Sequence, residues 1–197
     1  MLDIGCGTGN FLRSLGKARS IGIELEMTAL LIARKSNPNA EFILSSSLNL
    51  PFRNGVFDQI SAWEVIEHVP RGKESMMVSE IGRVLRPDAL FLMSTPSNHY
   101  LSVALDPAYF LRGHRHYDID SLHALLAANG FYMQRKALKG GIYSLVATNL
   151  LYIFKHILHK RPRGRVYGYF LSRSGREYSD SYKGFANWFI AAQKVAS

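Results

Sequence analysis

Leu2-Asp3-Ile4-Gly5-Cys6-Gly7-Thr8-Gly9-Asn10 is the stretch that decides the fold of this 197-residue chain. Leu2 to Ile4 read as the end of a buried strand and Phe11 to Leu15 as the start of a helix, so three glycines fall in the turn between them. Glycine lets the backbone turn tightly and lets a ligand approach with no Cβ in the way. Such a loop at the carboxyl end of a first strand is where open α/β sheets bind ligands, which implies a nucleotide-type cofactor. A dinucleotide fingerprint wants glycine, one residue, glycine, two residues, glycine. Here the glycines stand at 5, 7 and 9, Asn10 takes the place of the third dinucleotide glycine, and Asp3 precedes the first, so the spacing argues against NAD.

Outward from the loop, strand-like and helix-like stretches alternate, the pattern of an α/β domain with a mostly parallel sheet. Strands are predicted at Ser20 to Ile23, Glu41 to Leu44, Asp58 to Ala62, Ala89 to Ser94, Phe131 to Ala137 and Asn187 to Gln193. Helices are predicted at Met27 to Lys35, Ser75 to Leu85 (stopped by Arg86-Pro87-Asp88) and Asp120 to Asn129, the last with Asp118 or Asp120 as its amino-terminal cap and Gly130 at its end. Glu24, at the end of the second strand and 21 residues after Asp3, is placed to accept hydrogen bonds from both hydroxyls of a ribose. Glu26 is its nearby competitor and is expected to face solvent.

Composition bounds the class. Apolar residues make up 47% and charged residues 20%, which fits one soluble domain over 1–197 and excludes a disordered or fibrous chain. The single cysteine, Cys6, excludes a disulfide framework. No basic stretch followed by an apolar run opens the sequence, so a cytoplasmic home is expected. The net charge of +9 is uneven: from Leu150 onward, nine Lys/Arg stand against Glu177 and Asp180. A basic end on a near-neutral body suits either a solvated surface or an anionic partner, membrane or nucleic acid.

The Asp3-x-Gly5-x-Gly7-x-Gly9 pattern closely resembles motif I of the class I S-adenosylmethionine-dependent methyltransferases. Further segments resemble that family in order: Leu50-Pro51-Phe52-Arg53-Asn54-Gly55-Val56-Phe57-Asp58, Trp63-Glu64-Val65-Ile66-Glu67-His68-Val69, Arg83-Val84-Leu85-Arg86-Pro87, and Ser94-Thr95-Pro96-Ser97-Asn98. The resemblance spans about Leu2 to Gly141 and returns at Ala186 to Lys194, and it is of the methyltransferase type 11/type 12 kind, resembling ubiquinone-pathway-type O-methyltransferases. It implies a Rossmann-like, seven-stranded, mostly parallel sheet flanked by helices, with S-adenosylmethionine as cofactor. It implies cofactor contacts at Asp3, Gly5, Cys6, Gly7, Glu24, Leu25, Ser46, Ser47, Leu48, Ala62 and Trp63. Ser46 stands where the family usually has an aspartate for the adenine amino group; a hydroxyl accepts the same bond without charge assistance. The family's amino-terminal helices have no counterpart before Met1, so an amino-terminally truncated fold is expected.

Methyl transfer from a sulfonium mainly needs the nucleophile aligned, which contributes about 7–11 kcal/mol in favourable systems. A base adds roughly 10²–10⁴-fold for a hydroxyl or amine acceptor. His68, following the fourth strand, is the first candidate base; its alternative is local packing. On a helix, Glu64, Glu67 and His68 would share a face and admit a divalent metal, as some of the resembled enzymes do. In Gly113-His114-Arg115-His116-Tyr117, His116 or His114 is a second candidate base, and Arg112 or Arg115 could bind an anionic substrate group. The alternating histidines also suit a metal, with no third ligand evident by spacing. The plainer role of His116 and Tyr117 is to hold the following helix.

Gly140 to Gly184 form a basic, amphipathic insertion before the last strand. From Leu145 to Lys160, Val146, Leu150, Ile153, Phe154, Ile157 and Leu158 make an apolar stripe opposite Asn149, Tyr152, His156, His159 and Lys160. The stripe is too short to span a bilayer. With Lys160-Arg161-Pro162-Arg163-Gly164-Arg165 it suits an anionic membrane surface, or packs on the domain. The expected activity is methyl transfer to a small-molecule or lipid-linked acceptor at oxygen. The alternatives are an RNA methyltransferase, with Tyr167, Tyr169 and Phe170 stacking on bases though no RNA-binding module is evident, and a cofactor-binding homologue without catalysis.

Overall fold

Seven strands build one sheet in the order β3-β2-β1-β4-β5-β7-β6 in the computed structural model of the chain, which describes residues 1–16, 19–156, 158, 164–179 and 181–195, apart from the side chains of residues 112, 155 and 156. The strands are β1 (Leu2–Ile4), β2 (Ser20–Glu24), β3 (Ala40–Leu44), β4 (Phe57–Trp63), β5 (Leu85–Pro96), β6 (Phe131–Lys139) and β7 (Asn187–Lys194). Four ladders are parallel, with Asp3 opposite Gly22 on one side and Ser61 on the other. Parallel strands are covered on both faces, which is why β1 is buried at all three residues and Ile23, Ile60 and Phe91 are almost fully enclosed. The Rossmann-like, mostly parallel seven-stranded sheet is thus as expected.

By internal contacts the chain forms two units: Met1–Ser94 with Asp120–Arg135 and Ile190–Ser197, and Thr95–Ile119 with Lys136–Phe189. In the first unit, α1 (Asn10–Leu15), α2 (Met27–Ser36), a 3-10 turn (Ile66–His68), α3 (Glu74–Val84) and most of α6 flank the strands. Arg83 of α3 explains two of the quoted motifs together. Its guanidinium donates to Glu80 Oε1 (2.7 Å), to the carbonyls of Leu50 (2.9 Å) and Phe52 (2.7 Å), and to Asn54 Oδ1 (2.9 Å), while Glu80 Oε2 accepts from the Leu50 amide (2.8 Å). One arginine therefore ties the Leu50–Asn54 turn to α3, and its hydrogen bond holds the Glu80 carboxyl below the usual carboxylate range despite partial burial.

The helix and strand predicted around Arg86-Pro87-Asp88 meet differently from expectation. The helix ends at Val84 and β5 begins at once at Leu85, but the ladder with β4 slips between Phe57 and Gln59. Pro87 lacks an amide and Asp88 has φ of 60°, so the irregularity absorbs a residue that cannot donate to a ladder. α6 (Ile119–Ala128) starts one residue after Asp118, leaving Asp120 in its first turn.

The second unit holds α4 (Tyr100–Ala104), α5 (Pro107–Arg112), α7 (Ile142–His156), α8 (Arg165–Ser174) and a 3-10 turn (Gly175–Tyr178). Helix α7 begins where the buried Glu177 carboxylate accepts the amides of Gly141 (2.8 Å), Tyr143 (3.1 Å) and Ser144 (2.8 Å), the orphan donors of a helix start. The predicted faces of this helix need correction. Its buried side is made of small residues, Ser144 and Ala147, whereas Val146, Leu150 and Ile153 line an open apolar trough. Asn149, predicted opposite, lines the same trough and donates to the Leu105 carbonyl (2.6 Å). Leu158 is exposed; Ile157, His159, Lys160, Arg161 and Arg163 lie outside the described residues. No helix among the described residues is long and apolar enough to cross a membrane.

Candidate functional site

The first unit carries a cleft of about 300 Å³ at the carboxyl ends of β1, β2 and β4. Of the residues predicted to contact cofactor, Gly5, Glu24, Leu25 and Ser47 line it, as does the candidate base His68. Gly5 has φ of 65°, and a Cβ there would stand 2.7 Å from Val65 Cγ2, so the loop must be bare to pass beneath Val65. Gly9 (φ 75°) is required for another reason: its Cβ would meet Asn37 Nδ2 at 2.5 Å and Ala33 Cβ at 3.2 Å, so the third glycine seats α1 against α2. A Cβ at Gly7 would meet nothing within 4 Å, which leaves that side of the loop open to a ligand.

Glu24 ties this loop to the end of β2. Its Oε2 accepts the Gly7 amide (2.9 Å), and Oε1 accepts the amides of Leu25 (2.7 Å) and Glu26 (3.1 Å). An ionised carboxylate offers about four acceptor sites. Three are taken, which leaves one acceptor site on Oε2 beside the cleft, whereas the sequence reading placed Glu24 to accept from both hydroxyls of a ribose.

Other predicted positions lie behind the cleft rather than on its wall. Asp3 is buried, with Oδ1 accepting from Ser61 Oγ (2.7 Å), and burial pushes its carboxyl up to about 6 despite that bond. Cys6 faces the core formed by Leu12, Leu30, Ala33 and Phe42, and burial, with the charges of Asp3 and Glu24, pushes its thiol up to about 12. Ser46 Oγ accepts the Leu48 amide (3.2 Å) within its own turn, and its neighbours Ser45 and Ser47 reach the cleft instead. Ala62 is buried in β4, and Trp63 packs edge-on against Phe11 with ring centroids 5.2 Å apart.

Glu64 lines the cleft, and it defeats the helical metal set expected for Glu64, Glu67 and His68. Its φ is 56°, and the helical turn begins only at Ile66, so these residues share no common helix face. The Glu64 amide donates to the Ser94 carbonyl (3.1 Å) and its Oε1 accepts from Ser94 Oγ (2.6 Å), which holds the left-handed turn. No sequence signal beyond its place after β4 pointed to this contact. His68 is exposed at the end of the 3-10 turn, at the cleft wall.

His116, the second candidate base, is in the second unit and both its nitrogens are engaged: Nδ1 lies 2.7 Å from the Ser97 carbonyl oxygen and Nε2 3.0 Å from Asp106 Oδ2. With its side chain 3% exposed, it is in place to fix the Ser97, Asp106 and Tyr117 segments and has no nitrogen turned outward for a substrate proton. His114 Nδ1 meets the same Asp106 oxygen at 2.6 Å. Burial pushes the Asp106 carboxyl up, but the hydrogen bonds from His114, His116 and the Ala108 amide outweigh it and hold it well below the usual carboxylate range. The Arg112 side chain lies outside the described residues, and the Arg115 guanidinium lies over the Tyr117 ring, 5.7 Å from its centroid.

A glycine loop, an acidic end to β2 and a cleft at the carboxyl edge of a sheet ordered 3-2-1-4-5-7-6 define a doubly wound α/β fold with a ligand-binding crevice outside the ends of its strands. A family model described as "Methyltransferase domain" matches residues 1–136, and the chain belongs to that family, that of the class I S-adenosylmethionine-dependent methyltransferases. The chain is 36% identical over 86 residues to the "Probable tRNA methyltransferase 9B" of Mus musculus, covering 43% of this chain and 19% of that protein. It is 28% identical over 137 residues to a "Probable S-adenosylmethionine-dependent methyltransferase" of Mycolicibacterium smegmatis, covering 68% of this chain and 52% of that one. The chain thus spans about half the length of these relatives or less. A crystal structure of a SAM-dependent methyltransferase from Methanosarcina mazei shares the fold with TM-score 0.68 and 18% identity, covering 100% of this chain and 92% of that one.

Proposed function

We propose that the chain binds S-adenosylmethionine in the β1–β2–β4 cleft and transfers its methyl group to an oxygen of an apolar small-molecule or lipid-linked acceptor. The carrying observation is the Glu24 carboxylate beside the open side of the Gly5–Gly9 loop. When bound, the cofactor supplies an electrophilic methyl group already attached to a sulfonium. Glu24 orients the ribose through its remaining acceptor site, Gly5 and Gly7 give the loop backbone room, and Ser45 and Ser47 offer hydroxyls to the base. His68 is the candidate proton acceptor. Asp3 and Cys6 support the loop from behind, and Ser46, Leu48, Ala62 and Trp63 remain the further cofactor contacts that the resemblance implies, though none of the four lines the cleft itself. We further take 1–197 as one methyltransferase domain with 140–184 as an addition to it; the family match ends at residue 136, ahead of that segment.

An apolar acceptor is favoured by the trough of the second unit, about 390 Å³ between α4, α5 and α7, walled by Leu105, Pro107, Phe110, Val146, Leu150 and Ile153. Its apolar walls and the basic residues of α8 also suit a peripheral position on an anionic membrane. A second acceptor class, tRNA, is favoured by the relative named for it and by the ring cluster of Tyr143, Tyr169 and Phe170 beneath Arg173.

Calorimetry with S-adenosylmethionine and its demethylated product is the test of the cofactor site. Glu24→Ala should weaken both by about 10–100-fold, on the order of 1.4–2.8 kcal/mol. Equal binding by the variant, or none by the natural chain, refutes the site. Transfer of labelled methyl to isoprenoid phenols or to bulk tRNA then decides between acceptors.

A further inference from the structure

His114 and His116 alternate in sequence with no third partner at ligand spacing; in the fold Asp106 supplies it. Tyr117 bridges to Ser97 in parallel, its amide donating to the Pro96 carbonyl (3.0 Å) and its carbonyl accepting the Asn98 amide (3.0 Å). Both imidazoles before it turn to one carboxylate oxygen, His114 Nδ1 at 2.6 Å and His116 Nε2 at 3.0 Å from Asp106 Oδ2. Asp106 caps α5 with Oδ1, which accepts the Ala108 amide (2.9 Å), and its Oδ2 is left facing both imidazoles.

The decisive contact is at His116. The Ser97 carbonyl can only accept, so Nδ1, 2.7 Å away, carries a hydrogen. In the neutral ring of that tautomer, Nε2 presents a lone pair to the lone pairs of Asp106 Oδ2 at 3.0 Å. A positive centre must lie between them, either a second ring proton or a metal ion. We propose that it is a metal: Asp106 Oδ2, His114 Nδ1 and His116 Nε2 form a binding site for a divalent transition-metal ion of the zinc or ferrous class.

Three features favour the ion. The three ligand atoms lie within 4.8 Å of one another. Donors bound at about 2.0–2.2 Å to one ion sit about 2.9–3.4 Å apart, so the 3.0 Å contact fits and the 2.6 Å contact opens by a few tenths of an ångström. Finally, the outer partners are those of a metal site: a backbone carbonyl fixes the tautomer of His116 and a backbone amide fixes the free oxygen of Asp106. Two imidazoles with one carboxylate select zinc, iron, cobalt or nickel over magnesium or calcium. Binding at both rings requires neutral imidazoles: His116 gives up the Nε2 proton that otherwise lies between it and Asp106, and the hydrogen on His114 Nδ1 leaves or moves to its own Nε2. The remaining coordination positions take water or an oxygen of a bound molecule. The site is independent of which acceptor is methylated.

The test uses the full chain, free of any purification tag and stripped by chelator. Titration with Co²⁺ should give a saturable visible absorption band at one ion per chain, displaced by Zn²⁺. His114→Gln and Asp106→Asn should each weaken binding by about 100-fold or more, whereas His123→Gln, exposed on α6, should leave it unchanged. Should a variant fail to fold, histidine ring resonances of the natural chain give the same answer: Co²⁺ must shift those of His114 and His116 before those of His68 and His123. Absence of a saturable band, retained affinity in both folded variants, or first shifts at the other histidines overturns the site.

Discussion

Replacing Asp3 by asparagine should flatten the pH dependence of folding near the cofactor loop. The Asp3 carboxyl is 2% exposed and burial raises it from its ordinary 3.8 to about 6. The folded chain therefore holds this proton more tightly than the unfolded chain. Stability from this group is fully present below about pH 4 and is lost as pH rises to about 6; above that, the ionised buried carboxylate carries a constant cost. A rise of about two units, at 1.36 kcal/mol each, sets that cost at about 3 kcal/mol. Asparagine keeps an oxygen for Ser61 Oγ and cannot ionise. Its amide hydrogens, if unsatisfied, cost about 1–3 kcal/mol at every pH, which lowers the curve without tilting it. Urea denaturation of both proteins from about pH 4.5 to about pH 7.5 isolates the group, because all other titrations cancel in the difference. The natural chain should lose about 2 kcal/mol relative to Asp3→Asn across that window, the first ~1 kcal/mol being already lost by its acid end. A flat difference refutes the assignment of the raised carboxyl to Asp3.

Glu177→Ala strips three amides at the start of α7 of their acceptor and should cost about 2–4 kcal/mol, with Glu177→Gln intermediate; hydrogen exchange at Tyr143 and Ser144 should accelerate, and unchanged protection there refutes the cap. Cys6, 8% exposed with its thiol pushed up to about 12, should resist iodoacetamide in the native state at mildly alkaline pH and react once unfolded; native alkylation at the rate of an exposed thiol refutes its burial in the core.

What was legible in the sequence was what is local. The glycine loop, Glu24 and the alternating elements are carried by spacings within one turn or one strand–helix unit, and the parallel sheet preserves those spacings in space. What escaped depends on partners far along the chain. Arg83 reaches Leu50 across 33 residues, Glu177 caps a helix 33 residues earlier at Ser144, and Asp106 meets His116 across the whole of α5. The α7 faces failed for a different reason. Periodicity reports where large apolar residues lie, whereas close helix packing chose small ones, Ser144 and Ala147, and left the larger stripe lining a trough. Glu64 was misplaced because a helical spacing rule was applied to a residue whose backbone is left-handed.

The features that oppose stability are concentrated at the cleft. Asp3 is a carboxyl in the core directly beneath the loop, Gly5 passes under Val65 where no side chain fits, and Glu64 holds a left-handed backbone at the end of β4. The Asp3 carboxyl and the left-handed Glu64 depart from what packing and backbone preference would select, at roughly 1–3 kcal/mol apiece, and Gly5 is the residue its own bend requires. Beyond the cleft, the same sheet obeys those rules: Ile23, Ile60 and Phe91 are enclosed and Arg83 binds its turn with full hydrogen-bond use. A chain that otherwise satisfies local and tertiary preference tolerates such costs where a ligand restores them. A sulfonium held in the cleft, as proposed above, would offset part of the cost of the buried Asp3 charge. A preference for the charged donor over its uncharged product that shrinks in Asp3→Asn is the signature this trade requires, and a folded variant with unchanged preference would place the compensation elsewhere.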